Sequence, residues 1–303
     1  MNVSSPWLRG YLSGEISEPL VISTTGSGGV IKDVTIPAAA LIASANAAHR
    51  FLGANEGDTW SLLLPTNHIA GINVLARSIL LNSELKNVSQ NADFTSIVPT
   101  QLHKALIEDN ELLEHLKACK AVLVGGARLP ENLLAQAKSV GIDVITTYGA
   151  TETCGGCVYD GVPLDGVELR ISNGLVEIKI ANLNSGNWIS TNDLGEMVNG
   201  KLNVLGRADD VIISGGENIS LIRLEKFLEE KYPNQIFLAL SIKDEKWGEA
   251  LALISNSDFP NNLNEVISSS LGKLYLPKLS KVVANIPMIG IRKYDRKAAA
   301  QLF

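Results

Sequence analysis

The feature that most constrains the fold is a strand–helix–strand pattern between residues 121 and 147. Ala121-Val122-Leu123-Val124 and Val144-Ile145-Thr146-Thr147 are short runs rich in β-branched residues, which predicts two buried strands. A helix is predicted between them, with Pro130 near its first position and Gly141 just after its end. Two strands joined through a helix by short connections form a right-handed parallel unit, so the pattern predicts an α/β fold.

A polar, glycine-rich loop follows each of these strands. The first loop is Gly125-Gly126-Ala127-Arg128, and the second runs from Tyr148 to Gly156 and carries the carboxylate of Glu152. Because the strands are parallel, both loops lie at the same sheet edge, where ligands of open parallel sheets bind. The sequence therefore predicts a small-molecule site formed by these two loops.

A third loop, from Ser23 to Lys32, is rich in hydroxyls and glycines and follows the predicted strand Leu20-Val21-Ile22. Glycine lets backbone N–H groups turn toward an anion, while hydroxyls and a lysine add donors and charge, so phosphate is the natural ligand. The loop does not match the Walker pattern, because Lys32 lies between Ile31 and Asp33. From composition alone, a flexible linker is the alternative.

Two other helices are predicted nearer the start of the chain, over residues 35–53 and 72–81. The second follows a predicted strand, Leu62-Leu63-Leu64, and a loop that contains His68. Its single charged residue is Arg77, and burying an unpaired cation is costly. Arg77 therefore either binds an anionic ligand, or forms an internal ion pair, or extends its charged end to solvent.

Cys154 and Cys157 have the C-x-x-C spacing of redox and zinc sites, and the third cysteine is Cys119. A zinc site needs two more ligands, and the sequence contains no second cysteine pair or paired histidines. We therefore favour small residues that line a pocket over metal or redox use.

The sequence pattern changes after residue 166. Residues 167–171 and 175–180 alternate apolar with polar side chains, which predicts half-exposed antiparallel strands. Asn199-Gly200 predicts a tight hairpin turn between two further strands. The first part of the chain is thus predicted to be a large α/β domain with a small antiparallel β portion.

A charged run at residues 206–210 indicates a domain junction, so the predicted domains are residues 1–206 and 207–303. The second is predicted to be a small α+β domain, because strands and helices alternate along it. Its basic segment, residues 290–297, has a solvated tail as its ordinary interpretation.

Composition limits the function classes. The length of 303 residues favours two domains, and the net charge of −6 argues against a nucleic-acid partner. No apolar run is long enough for a membrane span, and the first ten residues lack the pattern of a signal peptide. The sequence therefore predicts a cytoplasmic protein.

Several motifs occur in order along the chain. They are the loop 24–32, His68-Ile-Ala-Gly71, Gly125-Gly126-Ala127, Tyr148-Gly-Ala-Thr-Glu152, Thr191-Asn-Asp193, Gly206-Arg207-Ala-Asp-Asp210, Ser214-Gly-Gly-Glu217 and Lys293-Tyr-Asp-Arg296. The ordered set resembles the adenylate-forming superfamily of acyl-CoA synthetases. Residues 148–165 are most similar to its succinylbenzoate ligases, in their short actinobacterial-type form.

The resemblance implies a large AMP-binding domain, truncated at its front, and a mobile C-terminal domain. It also implies ligation of 2-succinylbenzoate to coenzyme A in menaquinone biosynthesis, with ATP and Mg²⁺. A carboxylate attacks the α-phosphorus of ATP to give an acyl-adenylate and pyrophosphate, and the thiol of coenzyme A then displaces AMP. The partners implied are the carboxylic acid, ATP and coenzyme A.

The resemblance also implies roles for individual residues. Lys293, Glu152 and Thr151 are the implied catalytic residues, and Glu152 is also the implied Mg²⁺ ligand. Residues implied to bind ATP or AMP are Thr24, Thr25, Gly26, Ser27, Gly28, Gly29, Lys32, Gly125, Gly126, Ala127, Tyr148, Gly149, Asp193 and Arg207. His68, Arg77, Gly155 and Gly156 are implied for the acid, Gly215 and Gly216 for the coenzyme A path, and Asp209 for the hinge.

This sequence departs from the family pattern at several points. The phosphate loop has Ile31 where proline is usual and Asp33 where glycine is common, and Arg292 competes with Lys293 for the catalytic role. The chain also begins shortly before the phosphate loop, so we expect either a minimal form or a second chain that completes the pocket, as in a homo-oligomer. The alternatives to a succinylbenzoate ligase are a synthetase for another aromatic or short acid and a non-catalytic nucleotide-binding module.

Overall fold

The computed structural model describes residues 3–25, 31–244, 247–289 and 293–303. The chain divides into two compact units, one of residues 1–191 and 195–203 and the other of residues 192–194 and 204–303.

The first unit contains helices on both faces of a mostly parallel sheet. Its helices are α1 (Ser5–Ser13), α2 (Ala38–Leu52), α3 (Ile69–Leu80), α4 (Pro99–Ile107), α5 (Asn110–Ala118) and α6 (Glu131–Ser139). Its strands are β1 (Leu20–Thr25), β2 (Ile31–Ile36), β3 (Trp60–Ser61), β4 (Phe94–Ile97), β5 (Ala121–Val124), β6 (Val144–Ala150), β7 (Gly155–Tyr159), β8 (Val162–Pro163), β9 (Val167–Ser172) and β10 (Leu175–Ile180). Strands β11 (Ile189–Val198) and β12 (Lys201–Arg207) contain the boundary between the units.

The main sheet has the order β3-β4-β5-β6-β7-β8. Strands β3 to β6 are parallel, whereas β7 and β8 add on antiparallel. Successive side chains of a strand point to opposite faces, and in β5 Val122 and Val124 pack with α4, α5 and α6, while Ala121 and Leu123 pack with α2 and α3. The sheet is thus buried between two helical layers, which confirms the predicted α/β class.

Strands β9 to β12 form a separate four-stranded sheet, in the order β12-β11-β10-β9, and β1 pairs with β2 in a two-stranded ribbon. Asn199 and Gly200 connect β11 to β12 with positive φ angles of 51° and 78°, the turn that their sequence predicts.

The second unit is α+β. It contains β13 (Val211–Ser214), β14 (Glu217–Ser220), α7 (Leu221–Lys231), β15 (Phe237–Asp244), β16 (Gly248–Ser255), α8 (Leu263–Leu271), β17 (Leu279–Val282), β18 (Met288–Ile289), β19 (Lys293–Tyr294) and α9 (Arg296–Ala300). The larger sheet has the order β14-β13-β16-β15, and β17 pairs parallel with β16. The predicted boundary after residue 206 stays a prediction.

Three predicted elements differ in the structure. The helix predicted over 35–53 begins at Ala38, because Thr35 and Ile36 pair with β1 instead. The strand predicted at Leu62–Leu64 is found instead at Trp60–Ser61, since these two residues pair with β4. The helix predicted over 72–81 begins at Ile69, directly after His68.

In the described part of the chain, none of the helices has both the length and the apolar character that crossing a bilayer requires.

Candidate functional site

The loops after β5 and β6 lie side by side at the carboxyl edge of the parallel sheet. A Cβ atom on Gly125 would lie 2.2 Å from Oγ1 of Thr147, the hydroxyl that donates to the carbonyl of Val124 at 3.4 Å. Any side chain at residue 125 would therefore collide with β6. Gly126 and Ala127 are exposed beside it, so this strand end presents an open, flat surface.

Residues 148–156, predicted as a loop, form a hairpin in the structure. Strand β6 continues to Ala150, a one-turn 3₁₀-helix spans Thr151–Thr153, and β7 returns antiparallel from Gly155. Oγ1 of Thr153 accepts the backbone N–H of Ala150 at 2.7 Å and fixes this turn. A Cβ atom on Gly149 would lie 2.1 Å from the carbonyl oxygen of Gly155, so the two strands approach closely there.

Glu152 lies on this turn with its side chain 35% exposed, and Nζ of Lys32 lies 3.9 Å from its Oε1. Lys32 belongs to β2, on the far side of the predicted phosphate loop, where Oγ1 of Thr24 donates to its carbonyl at 3.3 Å. An exposed pair of this kind contributes little to stability. Its value is positional, since it brings the lysine of one sequence motif beside the carboxylate of another.

The centre of the predicted phosphate loop lies outside the described residues. This applies to Gly26, Ser27, Gly28 and Gly29, and the side chain of Thr25 is likewise not described. Thr24 and Lys32 are thus the predicted phosphate-loop contacts whose side chains the structure locates.

Tyr148 extends from β6 toward the antiparallel sheet. Its hydroxyl lies 3.5 Å from Oγ1 of Thr191, which itself donates to the carbonyl of Val176 at 2.7 Å. The half-buried ring of Tyr148 therefore lies between β6 and β11, on the strand that pairs with β5.

Arg77 lies on α3, and its surroundings match neither an internal ion pair nor a charged end that extends to solvent. The residue is 3% exposed, so its charged end does not reach solvent, and no described carboxylate forms an ion pair with it. Its Nη2 donates to the hydroxyl of Tyr159 at 2.9 Å and its Nη1 to Oγ of Ser96 at 3.4 Å. Its guanidinium stacks on the ring of Trp60, with Cζ 5.0 Å from the centroid. These partners were missed because they come from three separate strands.

The other residues predicted for the acid differ from one another. His68 is exposed at the start of α3. A Cβ atom on Gly155 would lie 2.6 Å from Nδ2 of Asn73, so this glycine is required by its contact with α3. Its role toward the acid stays a prediction. Gly156 is partly exposed between Thr147 and the ring of Tyr159.

All three cysteines are free and buried. Burial raises the pKa of Cys119, Cys154 and Cys157 to about 12, so the thiols stay protonated and unreactive at neutral pH. Among residues 3–25, 31–244, 247–289 and 293–303, no group of three His, Cys, Asp or Glu side chains is arranged to hold a metal ion. Cys154 and Cys157 thus lie in the protein interior, directly before and within β7.

The second unit contains the remaining predicted residues. Oδ1 of Asp193 lies 3.6 Å from Nη1 of Arg207. The backbone of Asp209 lies in a 3₁₀ turn, Ala208–Asp210, and that of Lys293 in β19, while their side chains are not described. Arg292 lies outside the described residues.

Gly215 and Gly216 form the turn between β13 and β14, with φ angles of 60° and 86°. A Cβ atom on Gly215 would lie 2.5 Å from the ring of Trp247, whereas one on Gly216 would meet open space. Hairpin geometry thus accounts for both glycines, whether or not a ligand passes them.

A surface cavity of about 410 Å³ lies apart from all these residues. Its lining is Asn46, His49, Arg50, Gly53, Ala54, Asn55, Glu56, Leu80 and Leu81.

Residues 19–206 match the family model described as "AMP-binding enzyme". The chain belongs to this family. The match includes Thr24, Lys32 and Glu152, and it ends before Lys293.

Relatives within this family have named activities. A probable 2-succinylbenzoate–CoA ligase of Mycobacterium tuberculosis is 34% identical, over 94% of this chain and 84% of the relative. The o-succinylbenzoate CoA synthetase of Bacillus subtilis in complex with the acyl-adenylate intermediate OSB-AMP is 26% identical, with a TM-score of 0.78, over 91% of this chain and 68% of that one. The structure of the same enzyme with ATP and magnesium ion is 25% identical, with a TM-score of 0.79 and the same coverage.

Proposed function

We propose that this chain ligates 2-succinylbenzoate to coenzyme A through an acyl-adenylate, releasing pyrophosphate and then AMP, in menaquinone biosynthesis. The names of the relatives support this substrate. The structural observation that carries the proposal is the approach of Lys32 to Glu152, on the turn that follows β6, the strand whose Thr147 packs against Gly125. This arrangement combines a cation for phosphate, a carboxylate for a metal and a flat opening for a base.

ATP is the first substrate in this proposal. Thr24, Thr25 and the glycine loop 26–29, with Lys32, bind the β- and γ-phosphates, while the Thr151 hydroxyl binds the α-phosphate. Adenine lies against Gly125, Gly126 and Ala127, next to Tyr148 and Gly149. When ATP binds, Lys32 exchanges Glu152 for phosphate, and the weak exposed pair costs little to break.

Glu152 suits a magnesium ion that is held mainly by phosphate. Mg²⁺ prefers hard oxygen ligands and is commonly bound by one or two carboxylates together with substrate phosphates. A single half-exposed carboxylate, with no three-ligand cluster among the described residues, matches that donor set and not a closed protein cage. Bound there, the ion neutralises charge on the triphosphate.

The second unit supplies further contacts in the proposal. Asp193 accepts hydrogen bonds from the ribose hydroxyls, and Arg207, which already pairs with it, orients that carboxylate. Lys293 stabilises the charge that develops on the transferring oxygens. Asp209 is the hinge that turns this unit between the two half-reactions, and Gly215 and Gly216 then border the path of the coenzyme A arm.

The acid substrate carries two carboxylates, of which one is activated, and the other needs a positive partner. Arg77 is a buried cation bonded to Tyr159, whose ring borders Gly156, and it lacks an ion-pair partner among the described side chains. His68, at the exposed start of the same helix, borders the acid on its open side. A substrate carboxylate thereby supplies the charge that the protein does not.

The proposed reaction takes place in the cytoplasm, where ATP and coenzyme A are available. A homo-oligomer stays a prediction, which light scattering of the purified chain tests.

An AMP assay over a panel of carboxylic acids, with and without coenzyme A, tests the function. We expect AMP and the thioester with 2-succinylbenzoate, and pyrophosphate release without coenzyme A. Glu152→Gln should abolish the formation of all these products. ADP and phosphate as products would overturn the proposed adenylation. AMP formation only with other acids would overturn the proposed substrate. ATP binding without pyrophosphate release would indicate a non-catalytic nucleotide-binding module.

A further inference from the structure

The surroundings of Arg77 are unusual in their hydrogen bonding. Among the described residues, the buried side-chain nitrogen or oxygen atoms without a hydrogen-bond partner are Nε2 of His49, Nε1 of Trp60 and Nε of Arg77. All three belong to one cluster, because Arg77 stacks on Trp60 and the ring centroids of His49 and Trp60 are 6.5 Å apart. Leaving buried polar groups unpaired costs free energy, so a cluster of three indicates that a polar group arrives from outside the chain.

The sign of the missing group follows from the charges of the cluster. Burial, and then the charge of Arg77, lower the pKa of His49 to about 4, so His49 is neutral near pH 7. Burial raises the pKa of the Tyr159 hydroxyl, which is also neutral. Arg77 thus supplies the net charge of the cluster, and an anion is the group that would satisfy it.

Tyr159 determines where the guanidinium of Arg77 lies. Its ring is fully buried and packs edge-on against Phe51, with centroids 5.3 Å apart, so its hydroxyl has a fixed position. That hydroxyl accepts from Nη2 of Arg77 at 2.9 Å, the shortest hydrogen bond that the guanidinium makes. Two bonds leave most N–H donors of an arginine available, including Nε–H.

Strand β7 connects Tyr159 to the proposed acid pocket. The residue directly before this strand, Cys154, accepts a hydrogen bond of 2.8 Å at its carbonyl from Nδ2 of Asn73 on α3. The last residue of β7 contacts Arg77, one helical turn further along α3. Gly156 lies between these two anchors, and a Cβ atom there would lie 3.5 Å from Cε1 of Tyr159. The space that this glycine leaves is therefore bordered by the ring that holds Arg77.

We propose that Tyr159 is a positioning residue that fixes the Arg77 guanidinium to receive the second, non-reacting carboxylate of the acid, and so gives the enzyme its preference for dicarboxylic acids. This inference rests on the proposed function. Tyr159 need not contact the substrate, since it acts through Arg77.

The test is Tyr159→Phe, which removes the hydroxyl and keeps the ring that packs against Phe51. Tyr11→Phe is the matched control, because the Tyr11 hydroxyl also makes a buried hydrogen bond, 2.7 Å to the carbonyl of Ile36, away from Arg77. Steady-state AMP formation is measured with 2-succinylbenzoate, and binding is measured by competition with 4-oxo-4-phenylbutanoate, which lacks the ring carboxylate, and 2-butanoylbenzoate, which lacks the succinyl carboxylate.

Tyr159→Phe is expected to raise the KM for 2-succinylbenzoate by about tenfold or more, the usual effect of one hydrogen bond to a charged group, while the KM for ATP and kcat stay nearly unchanged. Tyr159→Phe should also weaken the binding of the monocarboxylate that keeps the carboxylate bound by Arg77. It should leave the binding of the other monocarboxylate unchanged. Tyr11→Phe should change none of these constants.

An unchanged KM for 2-succinylbenzoate in Tyr159→Phe would overturn the role of Tyr159 while leaving the proposed function intact. Equal weakening of both monocarboxylates and of ATP would show that Tyr159 is merely structural. If the unaltered protein forms no AMP with 2-succinylbenzoate, the proposed function fails and the role of Tyr159 fails with it.

Discussion

Arg296 is the centre of a buried charge cluster in the second unit. Its Nη1 and Nη2 bind the two carboxylate oxygens of Glu225 at 2.6 and 2.9 Å, and its Nε binds Asp210 at 3.0 Å. Nη1 also donates to the carbonyl of Ala239 at 3.0 Å, and the backbone N–H of Ala239 donates to Glu225 at 2.8 Å. One guanidinium thus joins α7, β15 and the start of α9.

Arg296→Met keeps much of the side-chain volume and removes this charge. It leaves Glu225 and Asp210, both of which have side chains less than one-sixth exposed, without a cation. Removing one partner from a buried pair costs about 3–5 kcal/mol. For a unit of this size, each kcal/mol shifts the melting temperature by roughly 4–8 °C, so we expect a decrease of more than about 10 °C in the transition of this unit.

The stability loss in Arg296→Met should depend on pH. Burial raises the pKa of Glu225, and Arg296 is the main influence that opposes this rise. In Arg296→Met the folded-state pKa of Glu225 rises further above the unfolded value, so the protonated carboxyl is favoured in the folded state. The stability difference from the unaltered protein should therefore be smallest below about pH 4 and should grow as pH rises through the folded pKa.

Differential scanning calorimetry of the full chain measures both effects. Arg50→Met is the matched control, because Arg50 pairs with Asp165 at 2.6 Å while both side chains are more than half exposed, and it should cost less than about 1 kcal/mol. Arg296→Met combined with Glu225→Leu should recover most of the loss, since no unpaired buried partner of the bidentate pair remains. A loss in Arg296→Met no larger than in Arg50→Met would refute the reasoning.

Three further predictions concern stability and the site. Thiol reagent at pH 8 should label the folded protein slowly and the unfolded protein at all three cysteines. Because burial raises the pKa of the folded thiols to about 12, the contribution of these thiols to stability is present below about pH 9 and lost at higher pH. Rapid labelling of the folded protein would contradict the prediction. Partial burial raises the pKa of Asp93, but hydrogen bonds from Thr59 and Lys120 outweigh this effect and lower the pKa overall. Asp93→Asn should therefore destabilise the protein above about pH 4, and the difference should vanish in stronger acid, as urea titrations at several pH values would show. Gly125→Ala should cost about 1–3 kcal/mol of overpacking against Thr147 and reduce kcat/KM for ATP, and an unchanged melting temperature would contradict the close approach.

The sequence predicted the elements whose shape depends on local preferences. Pro130 directly precedes α6 and Gly141 follows it with a positive φ, while Asn199 and Gly200 adopt the left-handed conformations of a tight hairpin turn. Such positions can be predicted because steric limits on a few consecutive residues determine their backbone. The parallel unit from β5 to β6 could also be predicted, because connection rules allow few topologies.

Elements that depend on pairing with a neighbouring strand were predicted less well. The helix expected from residue 35 loses its start to β2, because Thr35 and Ile36 find strand partners in β1. The loop expected at 148–156 became a hairpin because β7 adds to β6. In both cases tertiary hydrogen bonds outweigh a local helix or loop preference.

The sequence by itself thus determined the α/β framework, the order of the polar loops along its edge and the residue types available there. The tertiary structure alone decided which side chains meet. Lys32 approaches Glu152 across 120 positions of sequence, Arg77 binds Tyr159 across 82, and Gly155 is required by Asn73, also 82 positions away. The reason is physical, since backbone preferences act between neighbours, whereas hydrogen bonding and burial act between whatever groups packing brings within a few ångströms.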